Sequence, residues 1–437
     1  MENNRKLTIE EKIKQIRFFQ DITQNALAEA LGCSDATISR IEDGKTDYRY
    51  TDKQIKDARK LFGLENAPLL DDEIAPFKER IYLWVDQIKD GYFTQAQKTQ
   101  EELSIITQLP FEQDLIILYK LVQVRLLVKE GKKAEANENL SYAEPLLEKS
   151  TVENKYHFYC SMGLLRTNEG NFEEGLSFLT KANDLEVVGF KKEPSLNFNL
   201  ALCEAKFGRY YLAIILMEQV YHVFNVERAS VAMMLFNNNL AINYTKIGYF
   251  KRANELLAKT LSVARSIGDK TFIGYALHNH GYLYLKRRSY KEAIEYFNQA
   301  FEYFTEGNNR AYLENSYYKI RSLISNKDSA SKTALTHAKS VARDNEHFVQ
   351  LFNALTHLTT LKADDSLEYI ENTTIPYLLS RYDYAEAMDY YEVLEKEYER
   401  RSNLKTQSKT QMLAMEMKAL KMKASAGDIH KIMRSGR

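Results

Sequence analysis

The chain has 437 residues, too many for one small domain, with 44% hydrophobic and 27% charged side chains, the balance of an ordinary globular protein. Sixty basic and sixty acidic residues cancel, so net charge lends no support to nucleic-acid binding, and any such reading has to rest on a motif. Three scattered cysteines (Cys33, Cys160, Cys203) fit a reducing cytosol rather than a metal site or a disulfide framework; the charged start MENNRKLTIEEKIKQIRFF lacks a signal-peptide core, and no apolar run approaches ~18 residues, so no membrane span is expected.

Six prolines and 17 glycines are few for this length and predict a mostly helical chain. Residues 8–20 read as an amphipathic helix, with Ile9, Ile13, Ile16 and Phe19 at helical spacing. Thr23 can cap the next helix, from Gln24 to Leu31; Gly32 and Cys33 turn the chain. Ser34 or Asp35 then caps a third helix, DATISRIED, that ends at Gly44. Two short helices joined by such a turn form a helix-turn-helix. Leu27, Ala28, Leu31, Ile38 and Ile41 are predicted to face inward, the small Ala28 letting the helices approach. Asp35, Ala36, Ser39 and Arg40 are left on the outer side. In the DNA-binding use of this unit, the N-terminal part of the third helix enters the major groove.

The run TQNALAEALGCSDATISRIEDGK, from Thr23 to Lys45, resembles the Xre/Cro family of helix-turn-helix domains over roughly residues 5 to 64. The resemblance implies phosphate contact for Gln24, base-facing positions for Ser34, Asp35, Ala36, Ser39 and Arg40, and backbone contact for Lys45. Arg40 has the fork geometry to bond a guanine bidentately; Asp35 suits a cytosine amine but repels phosphate. The same unit can serve as a protein-binding module. One such domain makes few phosphate contacts, so a homodimer on two-fold double-stranded operator DNA is expected.

From Leu69 onward, short turns recur as DGYF (90–93), EGKK (130–133), EGNF (169–172), FGRY (207–210), IGYF (247–250) and RRSY (287–290), with a weaker RYDY at 381–384. A period of about 40 residues predicts a stack of helical hairpins. Residues 325 to 376 break the period, and the copy at 131 is weak because Lys133 replaces an aromatic. Asn199, Asn239 and Asn279 stand 40 residues apart on the first helix of three successive hairpins, with Lys206, Lys246 and Lys286 seven positions later and so on the same face. An amide donates and accepts, which suits the backbone of an extended peptide; a row of cations suits carboxylates. Asn243 is a further candidate, and His278, Asn238 and Tyr282 are weaker ones. The alternative is that each Asn closes a hydrogen bond to its own neighbouring helix and each Lys offsets a helix dipole. The tail from 400 to 437, with Met412, Met415, Leu420 and Met422 among many lysines, reads as a capping or dimerisation helix.

The segment GYLYLKRRSYKEAIEYFNQA (281–300) is similar to the tetratricopeptide repeat, lengthened by roughly a turn per unit. The expected fold is all-α. A helix-turn-helix domain at 1–66 precedes a right-handed α-solenoid of tetratricopeptide-like hairpins at 67–400, and a terminal helix follows at 401–437. That order of parts resembles the RRNPP family of peptide-responsive regulators, nearer its NprR-like or arbitrium-receptor-like members. The resemblance implies a cytoplasmic quorum-sensing transcription regulator of a Gram-positive bacterium, without enzymatic activity or cofactor. A short imported signalling peptide would sit in the concave face of the repeats, and no membrane is involved. The competing expectation is a Rap-like or bifunctional regulator that sequesters a response-regulator protein and releases it on binding peptide.

Overall fold

The computed structural model describes residues 7–45, 47–186, 192–226, 231–305, 309–361 and 363–401, and every regular element among them is helical. The expected tail helix therefore lies outside the described residues, apart from Arg401. The chain divides into two compact units, residues 1–192 and 193–437.

The first unit opens with α1 (Ile9–Phe19), α2 (Gln24–Leu31), α3 (Asp35–Glu42) and α4 (Asp52–Leu61). Their starts follow from capping side chains: the Ala26 N–H donates to Thr23 Oγ1 and the Thr37 N–H to Ser34 Oγ, each satisfying an amide the helix leaves open. Ile13, Ile16, Leu27, Ala28, Leu31, Ile38 and Ile41 are all buried in one core. A bidentate ion pair crosses that core, with Arg17 Nε and Nη2 at 2.6 and 2.7 Å from the carboxylate of Glu42. Arg17 Nη1 also donates to the carbonyl of Ile22, so one guanidinium ties α1 to the chain on either side of α2.

The helix-turn-helix core continues past residue 66: Leu64, Ala67, Leu69 and Leu109 belong to it. Lys12, 3% exposed, donates its ammonium to the Leu69 carbonyl at 3.0 Å and to Asp71 at 2.8 Å, with Glu112 at 3.7 Å. The segment after α4 is thus packed chain rather than a free linker, and the compact unit ends at Lys192. It includes three hairpins: α5 (Asp71–Asp90) with α6 (Phe93–Leu103), α7 (Gln113–Lys129) with α8 (Lys133–Ala143), and α9 (Val152–Asn168) with α10 (Phe172–Asp184).

In the second unit α11 (Pro194–Lys206) pairs with α12 (Tyr210–Val226), α13 (Val231–Lys246) with α14 (Phe250–Ile267), and α15 (Lys270–Lys286) with α16 (Tyr290–Ala300). Each hairpin turns on one residue in the left-handed region: Gly208, Gly248 and Arg288 have φ of 77°, 82° and 65°. Close packing inside a hairpin needs a missing side chain at Gly281, where a Cβ would fall 2.6 Å from the Phe297 ring.

The expectation that the period breaks at 325 is corrected. Helix α17 (Asn309–Ser325) forms a regular hairpin with α18 (Ala330–Val341), turning on Lys327 at φ 56°. The signal was hidden because the turn at 326–329, NKDS, has neither glycine nor the aromatic that follows Arg288 and Tyr382 in the other turns. The departure comes after α19 (Glu346–Leu358), where α20 (Asp364–Tyr369) and α21 (Ile375–Ser380) are joined by a π-helical turn, Ile370–Thr374. Helix α22 (Tyr384–Arg401) follows a turn on Tyr382, φ 60°.

Candidate functional site

Two sets of residues carry the functional argument, and each is described within its own unit. On the helix-turn-helix, the inner side of α3 buries Ile38 and Ile41, which leaves Ser34, Asp35, Ala36 and Arg40 exposed and Ser39 half-buried. Lys45, just past α3, is exposed as well. Ser34 and Asp35 are partly engaged locally: Ser34 caps the helix, and Asp35 accepts from the Ala36 N–H at 2.8 Å. Arg40 is held by Tyr48, its Nη1 donating to the phenol oxygen at 2.9 Å. Gln24 sits differently from the phosphate-facing role the resemblance implies. Its amide donates to Glu42 at 2.8 Å and so completes the buried Arg17 pair.

In the second unit the three amides of the 40-residue series lie on α11, α13 and α15, but their bonding differs. Asn199 is half-buried and Asn279 is 8% exposed; neither side chain makes a hydrogen bond among the described residues. Asn239 returns its amide N–H to the Leu235 carbonyl one turn back, at 2.8 Å. Asn243 does the same to Asn239, at 3.1 Å, and its buried carbonyl oxygen has no partner among the described residues. Asn238 likewise buries an unpartnered Oδ1. A buried amide without a partner costs free energy, roughly 1–3 kcal/mol, that a bound polar group can recover. His278 is a packing residue, with Nδ1 3.0 Å from Asn315 Oδ1 and its ring against Phe297 and Tyr318. Tyr282 is buried against Tyr318.

The lysine series meets carboxylates of the same chain. Lys206 pairs with Asp383 and Lys286 with Asp389. Lys246 lies over the Tyr210 ring, 4.8 Å from its centroid; burial pushes its ammonium pKa down, while Glu386, Asp383, Glu314 and Asp389 oppose that shift. Arg321 of α17 joins the group, bonded to Glu386 and 2.8 Å from Asp389. Asp383, Glu386 and Asp389 follow one another at three-residue spacing, which places them along one edge at the start of α22. Burial alone would raise the Asp389 pKa, and Arg321 and Lys286 more than reverse that, so it is held below the usual carboxylate range. A ligand carboxylate would therefore have to displace Asp383 or Asp389 to reach Lys206 or Lys286.

No family model matches the chain. The transcriptional activator NprA of Geobacillus stearothermophilus is 23% identical over 347 residues, spanning 76% of this chain and 84% of that protein. Response regulator aspartate phosphatase A of Bacillus subtilis (strain 168) is 23% identical over 299 residues, spanning 63% and 77%. The crystal structure of NprR in complex with its cognate peptide NprX superimposes with a TM-score of 0.61 at 21% identity, covering 78% of this chain and 99% of that one.

In sequence and in fold the chain resembles the RRNPP family.

Among the features of this chain that sequence reasoning passed over, Tyr48 and the acidic edge of α22 matter most. Tyr48 gave no periodic signal because it lies in the loop after α3. The acidic edge was readable as D-Y-A-E-A-M-D after the RYDY turn, but its partners lie far away in sequence, 177 residues in the case of Lys206 and Asp383. No helix among the described residues is long and apolar enough to cross a membrane.

Proposed function

We propose that this chain is a cytoplasmic quorum-sensing transcription regulator that acts by binding rather than by turnover. Its helix-turn-helix reads double-stranded operator DNA as a homodimer, and a short imported peptide held along α11, α13 and α15 controls it. Asn199, Asn239, Asn243 and Asn279 bond the peptide backbone. Ser34, Asp35, Ala36, Ser39 and Arg40 face bases, with Lys45 on phosphate.

One observation carries the reading: Asn279, 8% exposed, makes no side-chain hydrogen bond among the described residues and stands in register with Asn199 and Asn239 on successive first helices. An amide in that state suits a ligand better than a scaffold, since native proteins pair the great majority of their buried polar groups. The relative NprA, named a transcriptional activator, and the NprR complex with NprX support the same pairing of output and input.

The test is to purify the chain from a Gram-positive host, identify co-purified peptides by mass spectrometry and titrate the synthetic peptide calorimetrically. The same preparation selects duplexes from a random library. The expected result is one short peptide whose binding depends on Asn279 and changes the affinity for the selected duplex. Absence of both a peptide and a selected sequence overturns the reading.

The second reading, capture of a response-regulator protein through the repeats, is favoured by the match to response regulator aspartate phosphatase A. Arg40→Ala separates the two. Protein capture survives it, and operator binding does not.

A further inference from the structure

The loop between α3 and α4 carries a residue that acts on the base-reading side of α3. Tyr48 accepts a hydrogen bond from Arg40 Nη1 at 2.9 Å, and the guanidinium carbon lies 5.3 Å from the Tyr48 ring centroid. Both side chains are exposed, so the contact is open to water and to DNA. The loop itself is fixed on both sides of Tyr48. The Tyr48 N–H donates to the Lys45 carbonyl at 3.1 Å, closing a turn off the end of α3. Next to it, Arg49 pairs with the buried Glu10 of α1 at 3.2 Å, and Tyr50 is 6% exposed in the helix-turn-helix core. Tyr48 is therefore a fixed surface against which a long, otherwise free side chain is ordered.

The chemistry of the guanidinium decides what that ordering does. Arginine has five N–H donors in a planar fork, and Tyr48 takes one of them, on Nη1. The Nε and Nη2 hydrogens make no hydrogen bond among the described residues. They form the edge that matches guanine O6 and N7. The ring contact and one hydrogen bond orient the guanidinium and leave that edge open. An arginine ordered before binding loses less freedom on contact, and a base that cannot meet the fixed fork is rejected more strongly.

We propose that Tyr48 is a positioning residue for sequence readout, holding the Arg40 guanidinium in the plane that recognises one guanine of each operator half-site. This rests on the DNA-reading role proposed above. It assigns sequence discrimination, rather than general affinity, to a loop residue outside the helix.

The experiment uses the full chain and the duplex it selects from a random library, against the same duplex changed at the guanine whose loss Arg40→Ala no longer senses, and against a scrambled duplex. Tyr48→Ala is expected to cut discrimination at that one base pair by roughly 10-fold, the scale of a bidentate contact. Affinity for scrambled DNA and the dependence of binding on salt are expected to stay unchanged. Tyr48→Phe, which keeps the ring but not the hydroxyl, falls between Tyr48→Ala and the native chain. In the Arg40→Ala background, Tyr48→Ala adds nothing, because the two residues act as one unit. Equal weakening on selected and scrambled DNA, a reduced salt dependence, or additivity with Arg40→Ala overturns the proposal and makes Tyr48 a phosphate contact. Tighter binding by Tyr48→Ala overturns it too, by making the pair a store that keeps Arg40 off the DNA. If the native chain selects no sequence, the DNA-reading role falls with it, an outcome distinct from a selected duplex to which only Tyr48 is indifferent.

Discussion

Lys286 donates to both carboxylate oxygens of Asp389, each at 2.6 Å, and so joins α15 to α22 across 103 residues. Asp389 also holds Arg321, 2.8 Å away, so one carboxylate answers two cations. Lys206 and Asp383 repeat the arrangement from α11. The start of α22 is a strap across the ends of first helices separated widely in sequence, and it takes up cations that a ligand could otherwise have met.

Removing the carboxylate should cost more than removing one cation. Asp389→Asn leaves Lys286 and Arg321 without a counter-charge on that residue, and a stability loss of roughly 2 to 3 kcal/mol is expected in urea unfolding. Lys286→Met leaves Asp389 still paired with Arg321, and about 1 kcal/mol is expected. Equal losses for the two variants would mean that Arg321 does not compensate.

Asn279→Ala separates ligand contact from structural support. Its side chain has no hydrogen bond to lose among the described residues, so the free protein should keep its stability within about 0.5 kcal/mol. Affinity for the co-purified peptide should fall by about 1–3 kcal/mol, as a peptide group loses its partner. Asn239→Ala should behave alike. The Leu235 carbonyl it releases is already placed to accept from its own helix. An unfolded Asn279→Ala, or one with native peptide affinity, would return the amide to a purely structural role.

The turns give a third expectation, with opposite signs at equivalent positions. Arg288 occupies the left-handed region at φ 65°, which costs an L side chain about 1 kcal/mol or more; Gly248 sits at φ 82° without that penalty. Arg288→Gly is expected to stabilise by up to about 1 kcal/mol, after the added freedom of the unfolded chain is subtracted. The Arg288 ion pair with Glu392, 3.7 Å and largely exposed, offsets little of it. Gly248→Ala is expected to destabilise by about 1 kcal/mol through backbone strain alone, since a Cβ there meets nothing within 4 Å. Thermal melts of the two variants should move in opposite directions, and movement in the same direction would show that φ is not the cause.

These variants also mark how far the sequence could be read. The helix-turn-helix was legible because its determinants are local: caps at Thr23 and Ser34, a left-handed Gly32 at φ 63°, and an apolar set spaced for two short helices. The hairpins were legible wherever glycine or a following aromatic marked the turn, as at Arg288 before Tyr290, and lost at Lys327, where neither did. The first two lysines read as free cations because their neighbours in sequence say nothing of Asp383 or of the carboxylates around Lys246. The bond from Gln24 to Glu42 was hidden for a similar reason, since the two stand 18 residues apart. Periodicity locates a residue on a face; only the folded chain says which distant charge already occupies that face.

His280 predicts how stability depends on pH. Burial, with a smaller contribution from Arg265, lowers its pKa from 6.5 to about 4, and its ring stacks on Tyr296 at 4.9 Å. In the unfolded chain the imidazole takes a proton near pH 6.5, and in the folded chain it refuses one until about pH 4. As pH falls through that window the unfolded state binds more protons, so stability falls with it and levels off below the folded pKa. The full difference is at most about 3 kcal/mol from this residue. His347 and His357, whose pKa values burial also lowers, add to the same slope, so the share of His280 needs a variant. His280→Phe keeps a ring against Tyr296 and removes the titrating group, and the Nδ1 it deletes is buried without a hydrogen-bond partner. Relative to the native chain, His280→Phe should gain stability progressively between pH 6.5 and pH 4 and show a constant difference above pH 7.5. Urea midpoints measured across that range decide the matter: parallel curves would mean that His280 takes up its proton alike in the folded and unfolded chain.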